Sequence, residues 1–352
     1  MAVIDRTDAP LDLDVDDLFG KYRTMFLIRR FEEAAERQYK AARIGGYCHL
    51  SSGQEAATIG AVSALEEDDL LVTGYRCHGF ALARGVPPEA VMAELFGRAN
   101  GCAHGRGGSM HLLDVSRGYY GGWGIVAGQL PIATGMALSL VRRGKEQAVL
   151  CELGDGAVNM GAWHESLNLA AVWNLPVVFM VINNLYGMGT SVERASAEPD
   201  IFKRASAFRI EGERVDGDDV LAVRDAARAM LTRARTQRQP GLLEAVSHRL
   251  RGHSVVDPAR YRSKEETERL RELDPLPALR ARLIDDGTLT DESARRIDEQ
   301  AEQQVDAAVA FADASADPQV SELFEHAYAT PVPNAPHQLP GDPLLTLAHV
   351  SS

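Results

Sequence analysis

Two short strings hold the residue types in this chain best suited to chemistry: Gly154-Asp155-Gly156 and, about thirty residues later, Asn183-Asn184. One aspartate and two asparagines supply hard oxygen donors with little charge. That set suits Mg²⁺, which takes few protein oxygens and completes its shell with phosphate and water. Gly156 lets the backbone turn tightly and approach an anion, and a helix that follows offers free N–H groups to phosphate.

Chemistry of this kind requires the two strings to meet, and the flanking text provides the means. Each closes an apolar run, Ala148-Val149-Leu150-Cys151 before the first and Val177-Val178-Phe179-Met180-Val181-Ile182 before the second. Residues 160–173 between them have helical spacing. A strand, a helix and a parallel strand place both C-terminal strand ends on one edge of a sheet. A nicotinamide-binding turn is the competing reading of such a unit. Against it, Gly154-Asp155-Gly156-Ala157-Val158-Asn159 lacks the third glycine of that fingerprint, and the second strand ends in asparagine where an acid belongs.

The rest of the chain reads as alternating elements. Helical spacing covers 17–43, 54–65, 87–96, 129–141 and 219–238. It resumes from 264 to about 316, with breaks at Pro275, Pro277 and around Gly287. Strands are expected at 70–73, within 212–217 and at 241–246. Residues 97–128 hold ten of the 31 glycines together with Met110, Leu112, Tyr119, Tyr120 and Trp123, so we read them as an ordered wall around a ligand. The expected fold class is α/β, a mostly parallel sheet with helices on both faces. The expected division is an acidic arm at 1–20, an α/β domain at 21–275, helices at 276–330 and a Pro-rich tail at 331–352.

Composition narrows the function. A net charge of −13 argues against general nucleic-acid affinity, although local arginines and a metal can still reverse the sign at a site. No apolar run reaches the roughly 18–20 residues of a membrane helix. The first 20 residues carry six aspartates against one arginine, unlike a secretory signal or transit peptide, so a cytoplasmic location is expected. The cysteines at 48, 77, 102 and 151 have no metal-type spacing.

Gly-Asp-Gly followed by a helix, a strand and Asn-Asn resembles the signature of thiamine diphosphate enzymes. The stretch Asn183-Asn184-Leu185-Tyr186-Gly187-Met188-Gly189-Thr190-Ser191-Val192-Glu193-Arg194 resembles the alpha subunit of the decarboxylating component of 2-oxo acid dehydrogenase complexes, pyruvate type. So do Gly107-Gly108-Ser109-Met110-His111, Gly124-Ile125-Val126 and Arg251-Gly252-His253-Ser254. The resemblance spans about 22–279. It implies a thiamine diphosphate-binding fold, Mg²⁺, decarboxylation of a 2-oxo acid and reductive acylation of a lipoyl group on a partner acyltransferase. It also implies a beta subunit in an α₂β₂ heterotetramer, because that subunit supplies a glutamate to the aminopyrimidine and no second thiamine-type domain is legible here. Acetoin and branched-chain homologues are the alternatives within the class, and a nicotinamide-dependent dehydrogenase is the alternative outside it.

The same resemblance assigns roles. Asp155, Asn184 and the backbone carbonyl of Tyr186 match the metal ligands, and Gly156 and Ala157 lie beside the diphosphate. Tyr75-Arg76 alone is an ordinary surface pair; by resemblance it approaches the diphosphate and the substrate carboxylate, which an arginine fork suits. Gly124 and Val126 match backbone positions that bind the aminopyrimidine, with Ile125 as the bulky residue beneath the bent cofactor. His253 matches a residue beside the reactive carbon, where an imidazole can donate a hydrogen bond or move a proton. Arg249 joins the cofactor-binding set, while His49 and His78 match histidines near the substrate, His49 expected to bind it and His78 expected to be catalytic with His253. Ser254 matches a serine phosphorylated in mitochondrial relatives. His104 and His111 make a metal pair only with further ligands, which the sequence does not offer.

Overall fold

The computed structural model describes residues 17–324. The expected acidic arm lies outside them except for 17–20, as does the expected Pro-rich tail. Asp17 caps helix α1 (Leu18–Lys40), its carboxylate accepting from the Gly20 N–H. Helix α2 (Glu55–Val62) is buried along its whole length, as its run of small apolar residues suggests. Strand β1 (Leu70–Gly74) leads into α3 (His78–Ala83) and α4 (Pro88–Leu95). Then β2 (Tyr119–Trp123) precedes α5 (Gln129–Arg142), and β3 (Val149–Gly154) precedes α6 (Gly161–Val172). After β4 (Val177–Asn183) comes a short ribbon, β5 (Tyr186–Gly187) with β6 (Thr190–Ser191), and the single turn α7 (Val192–Ala195). The sheet closes with β7 (Glu211–Asp216), α8 (Val220–Gln237) and β8 (Gly241–Val246). Three helices follow, α9 (Lys264–Glu272), α10 (Pro275–Asp285) and α11 (Asp291–Ala314).

Six strands form one parallel sheet in the order β2-β1-β3-β4-β8-β7. A parallel sheet must be covered on both faces, which explains the continuous apolar text of its central strands. All seven residues of β4 are buried. Val178, Met180 and Ile182 join one core, with side chains of α1, α2, α4, α8 and α11. Val177, Phe179 and Val181 join the other, with α5, α6 and Ile201. The expected α/β class with helices on both faces is what the structure has.

Local differences have physical causes. Strand β2 lies inside the glycine-rich segment, where Tyr119-Tyr120-Gly121-Gly122-Trp123 offers too few side chains to show an alternating pattern. Helix α3 is too short to show periodicity. Pro275 starts α10 under an Asp274 cap, since a proline in the first turn gives up an N–H that would be unpaired anyway. The glycine-rich segment is ordered, but mainly from beneath. The buried carboxylate of Glu94 accepts from the backbone N–H groups of Ala103, Gly105, Gly107 and Gly108.

Candidate active site

Between β1 and β3 the winding of the chain reverses: β2 pairs outward from β1 and β4 outward from β3. In such sheets a crevice opens beyond the carboxyl ends of the strands at this point. Here it is a cavity of about 280 Å³. Its walls include Gly74, Tyr75 and Arg76 after β1, Asp155, Gly156 and Ala157 after β3, Asn184 and Tyr186 after β4, and Arg249 and His253 after β8. The chain thus brings together residues separated by up to 179 positions.

Asp155 and Asn184 form one corner. Both are buried, and Asp155 Oδ1 accepts the Asn184 N–H at 3.4 Å. Asn184 Oδ1 is buried with no hydrogen-bond partner. An unpaired buried acceptor costs about 1–3 kcal/mol, and a cation shared with the adjacent carboxylate relieves that cost. Burial pushes the Asp155 carboxyl up, while Arg249, the Asn184 N–H and Arg76 pull it back. The ribbon after β4 turns back over this corner through left-handed backbone at Leu185 (φ +70°) and Met188 (φ +57°). Gly187 then comes so close that an added Cβ would sit 3.2 Å from Gly156 Cα and 3.8 Å from Asp155 Oδ2. The donor set fits a small hard cation. Asn183 instead braces the strand end: its amide donates to Glu244 at 2.7 Å and its Oδ1 accepts the Leu185 N–H at 3.0 Å.

The opposite wall is cationic. Arg76 donates to the carbonyls of Leu50 and His253, and Arg249 donates to the Met188 carbonyl and the Tyr261 hydroxyl. Among the described residues neither guanidinium pairs with a carboxylate, and Arg249 Nε has no partner at all. Burial pushes the Arg249 guanidinium down to about 10, with nearby Arg76 adding to the effect. A buried guanidinium, Arg249, and a half-buried one, Arg76, both without a carboxylate partner on one cavity wall, make a receptor for an anion.

His253 lies against Arg249, whose Nη1 is 3.1 Å from His253 Nδ1. An arginine can only donate, so Nδ1 is the acceptor and the ring proton sits on Nε2. Burial, Arg76 and Arg249 hold the imidazole down to about 4, hence neutral at pH 7. His49 meets His253 edge-on with ring centroids 5.0 Å apart and lies tilted against Tyr75 at 4.4 Å. Burial, with Arg76 next, pushes His49 down to about 2. The Asp257 carboxylate accepts the His253 N–H at 2.6 Å and the Tyr261 hydroxyl at 2.8 Å, which fixes this loop.

His78 needs correction as a catalytic residue. It is fully buried and does not line the cavity. Glu32 lies 2.8 Å from its Nδ1 and Ser109 Oγ 2.8 Å from its Nε2, so neither ring nitrogen is left for a substrate. It is a positioning residue that ties α1 to the glycine-rich segment. That segment reaches the cavity only at its end. Gly124 packs so closely on His111 that an added Cβ would lie 2.9 Å from Nε2. Trp123, Val126 and Ala127 line the cavity, Val126 being 43% exposed, while Ile125 next to it is 74% exposed and does not line it. Ser254 is buried. Among the described residues no three His, Cys, Asp or Glu side chains are placed to hold a metal, so His104 and His111 gain no further ligands.

Several wall residues escaped the reading of the sequence. Gln129 and Trp123 line the cavity, each with a buried polar atom lacking a partner. Glu152, inside β3, also lines it. Its signal was present: an acid in an otherwise apolar strand.

The fold is that of a doubly wound α/β protein with a cavity at its switch point, where Asp155 and Asn184 face Arg76 and Arg249. The chain belongs to the family described as the dehydrogenase E1 component, whose sequence profile matches residues 23–321. It is similar to the pyruvate dehydrogenase E1 component subunit alpha of Rhizobium meliloti (strain 1021), 47% identical over 88% of this chain and 89% of that protein. The subunit of the same name from Rickettsia felis is 40% identical over 89% of this chain and 96% of its own. The somatic, mitochondrial form from Homo sapiens is 42% identical over 90% of this chain and 81% of its own.

Proposed function

We propose that this chain is the alpha subunit of a pyruvate dehydrogenase of the acetyl-transferring type, working with thiamine diphosphate, Mg²⁺ and a beta subunit. The observation that carries this reading is the unpartnered Asn184 Oδ1 beside the Asp155 carboxylate, facing two guanidinium groups without counter-ions. Such a corner calls for a cation and such a wall for a phosphate. The shared name of the relatives points to pyruvate.

In this reading Asp155, Asn184 Oδ1 and the Tyr186 carbonyl hold Mg²⁺. The backbone at Gly156 and Ala157, with Tyr75, Arg76 and Arg249, receives the diphosphate. Gly124 and Val126 bind the aminopyrimidine through their backbone, and Ile125 supports the ring system. Bound thiamine diphosphate supplies the carbon nucleophile and electron sink through which a 2-oxo acid loses CO₂. His253, neutral and protonated on Nε2, donates to the oxygen on which charge develops. His49 keeps that ring upright by edge contact. Residues 21–275 form the cofactor-holding unit, with α10 and α11 bracing it. The exposed side chains of Ile125 and Val126 are closed over by the beta subunit in an α₂β₂ assembly, and a lipoyl domain collects the acyl group.

Co-expression with a beta subunit tests this reading. Pyruvate-dependent reduction of an artificial electron acceptor is expected only with both chains, thiamine diphosphate and Mg²⁺. The same activity with NAD⁺ in place of thiamine diphosphate would overturn it.

A further inference from the structure

Glu152 is a buried acid on the cavity wall that the scheme above does not use. It sits in β3 opposite Met180 of β4, in a strand whose other side chains are apolar. Its Oε2 accepts the Gly74 N–H at 2.9 Å, and Gln129 on α5 donates to its backbone carbonyl at 3.0 Å. Gln129 Oε1, on the same wall, is buried with no donor. A carboxylate brings only acceptors to that wall, whereas a carboxylic acid brings an O–H donor. The charged and titratable groups around it come from several elements. Arg76 and Tyr75 face it from the end of β1, Cys151 precedes it, and Asp155 lies three residues on. Met180 and Gln129 are neutral.

We propose that Glu152 is a further binding residue of this cavity, which works as the neutral acid and takes up a proton when a diphosphate-bearing ligand enters. The proposal rests on the thiamine diphosphate reading of the cavity. Without ligand, burial pushes the carboxyl up to about 7 against the Gly74 N–H and the Arg76 cation, both of which favour the carboxylate. An anionic diphosphate at Arg76 cancels that support and adds like charge to the same cavity. The acid form is then the stable one, and the proton comes from solvent. Linkage fixes the sign: a group whose affinity for protons rises on binding makes binding weaker as pH rises above its free value. Affinity should therefore be pH-independent in this respect well below pH 7, and fall by up to roughly tenfold per pH unit above it.

The test uses the chain assembled with its beta subunit and titrated with thiamine diphosphate at saturating Mg²⁺. Calorimetry at pH 8 in buffers of different ionisation enthalpy counts the protons taken up. The wild type should take up about one proton more than Glu152→Gln, whose amide keeps the Gly74 contact and cannot titrate. Between pH 7 and 8.5 the wild-type affinity should fall more steeply than that of the variant. The terminal phosphate of the ligand titrates equally in both and cancels in the difference. Equal proton counts and parallel pH profiles would overturn the proposal and leave the cofactor assignment standing. No binding by the wild type would overturn both. If the variant does not fold, infrared difference spectra of the wild type decide. A protonated-carboxyl band appearing on binding supports the proposal, and its absence refutes it.

Discussion

Arg249 donates to His253 Nδ1 at 3.1 Å, and this contact sets which face of the imidazole is available for chemistry. With Nδ1 occupied as an acceptor, Nε2 carries the proton. The same guanidinium helps keep the ring neutral, after burial and Arg76. Arg249→Met should raise the His253 pKa from about 4 toward the ordinary range, which an imidazole NMR titration reads. No upward movement would show that burial and Arg76 set the value without Arg249.

Acid should destabilise the chain through this cluster. His253 and His49 are held below the value they have when unfolded. Between about pH 6.5 and 4 the unfolded chain therefore binds more protons, so stability falls as pH drops through that window. Urea denaturation across pH 7.5 to 5 should show a shallower loss for the double variant His49→Gln, His253→Asn than for the wild type. Identical slopes would assign the acid sensitivity elsewhere.

Glu94→Ala should cost about 2–4 kcal/mol, because it strands several backbone donors in partly buried surroundings. The glycine-rich segment should lose hydrogen-exchange protection with it. A change below about 0.5 kcal/mol, the usual range for a surface site, would show that the segment holds itself.

Gly187→Ala tests the proposed metal corner without replacing a ligand side chain. Its Cβ would press on the Gly156 backbone at 3.2 Å. Overpacking of this kind costs about 1–3 kcal/mol. We expect the loss mainly in Mg²⁺-dependent cofactor affinity, with the melting temperature of the ligand-free protein little changed. The reverse pattern would mean that the close approach serves stability alone.

With respect to substrate, pyruvate should have a higher kcat/KM than 2-oxoisovalerate. Each extra methylene is worth about 1–3 kcal/mol in an apolar pocket, so the preference should be graded. A higher value for the branched acid would refute the substrate assignment.

The corner where Asp155 meets Asn184 was legible in the sequence because its cause is local. Two apolar strands and one helix suffice to bring Asp155 and Asn184 to one edge. The cationic wall was legible only through family resemblance, since Arg76 and Arg249 meet across 173 positions and nothing local marks either. Strand β2 was hidden because glycine carries no side-chain pattern. The order of the glycine-rich segment depends on Glu94, which lies before it on α4 and reads as an ordinary helix acid. The sealed position of His78 depends on Glu32 from α1 and Ser109 from the glycine-rich segment, partners fixed only in the folded chain.

The most direct test of the account is crystallographic. The assembled enzyme, grown with thiamine diphosphate and Mn²⁺ in place of Mg²⁺, allows the metal to be located by its anomalous signal. Manganese takes the same hard-oxygen donors as magnesium. One peak is expected within coordination distance of an Asp155 carboxylate oxygen, Asn184 Oδ1 and the Tyr186 carbonyl, with diphosphate oxygens completing the shell. A peak elsewhere, or a diphosphate bound with Asn184 Oδ1 still unpaired, would contradict it.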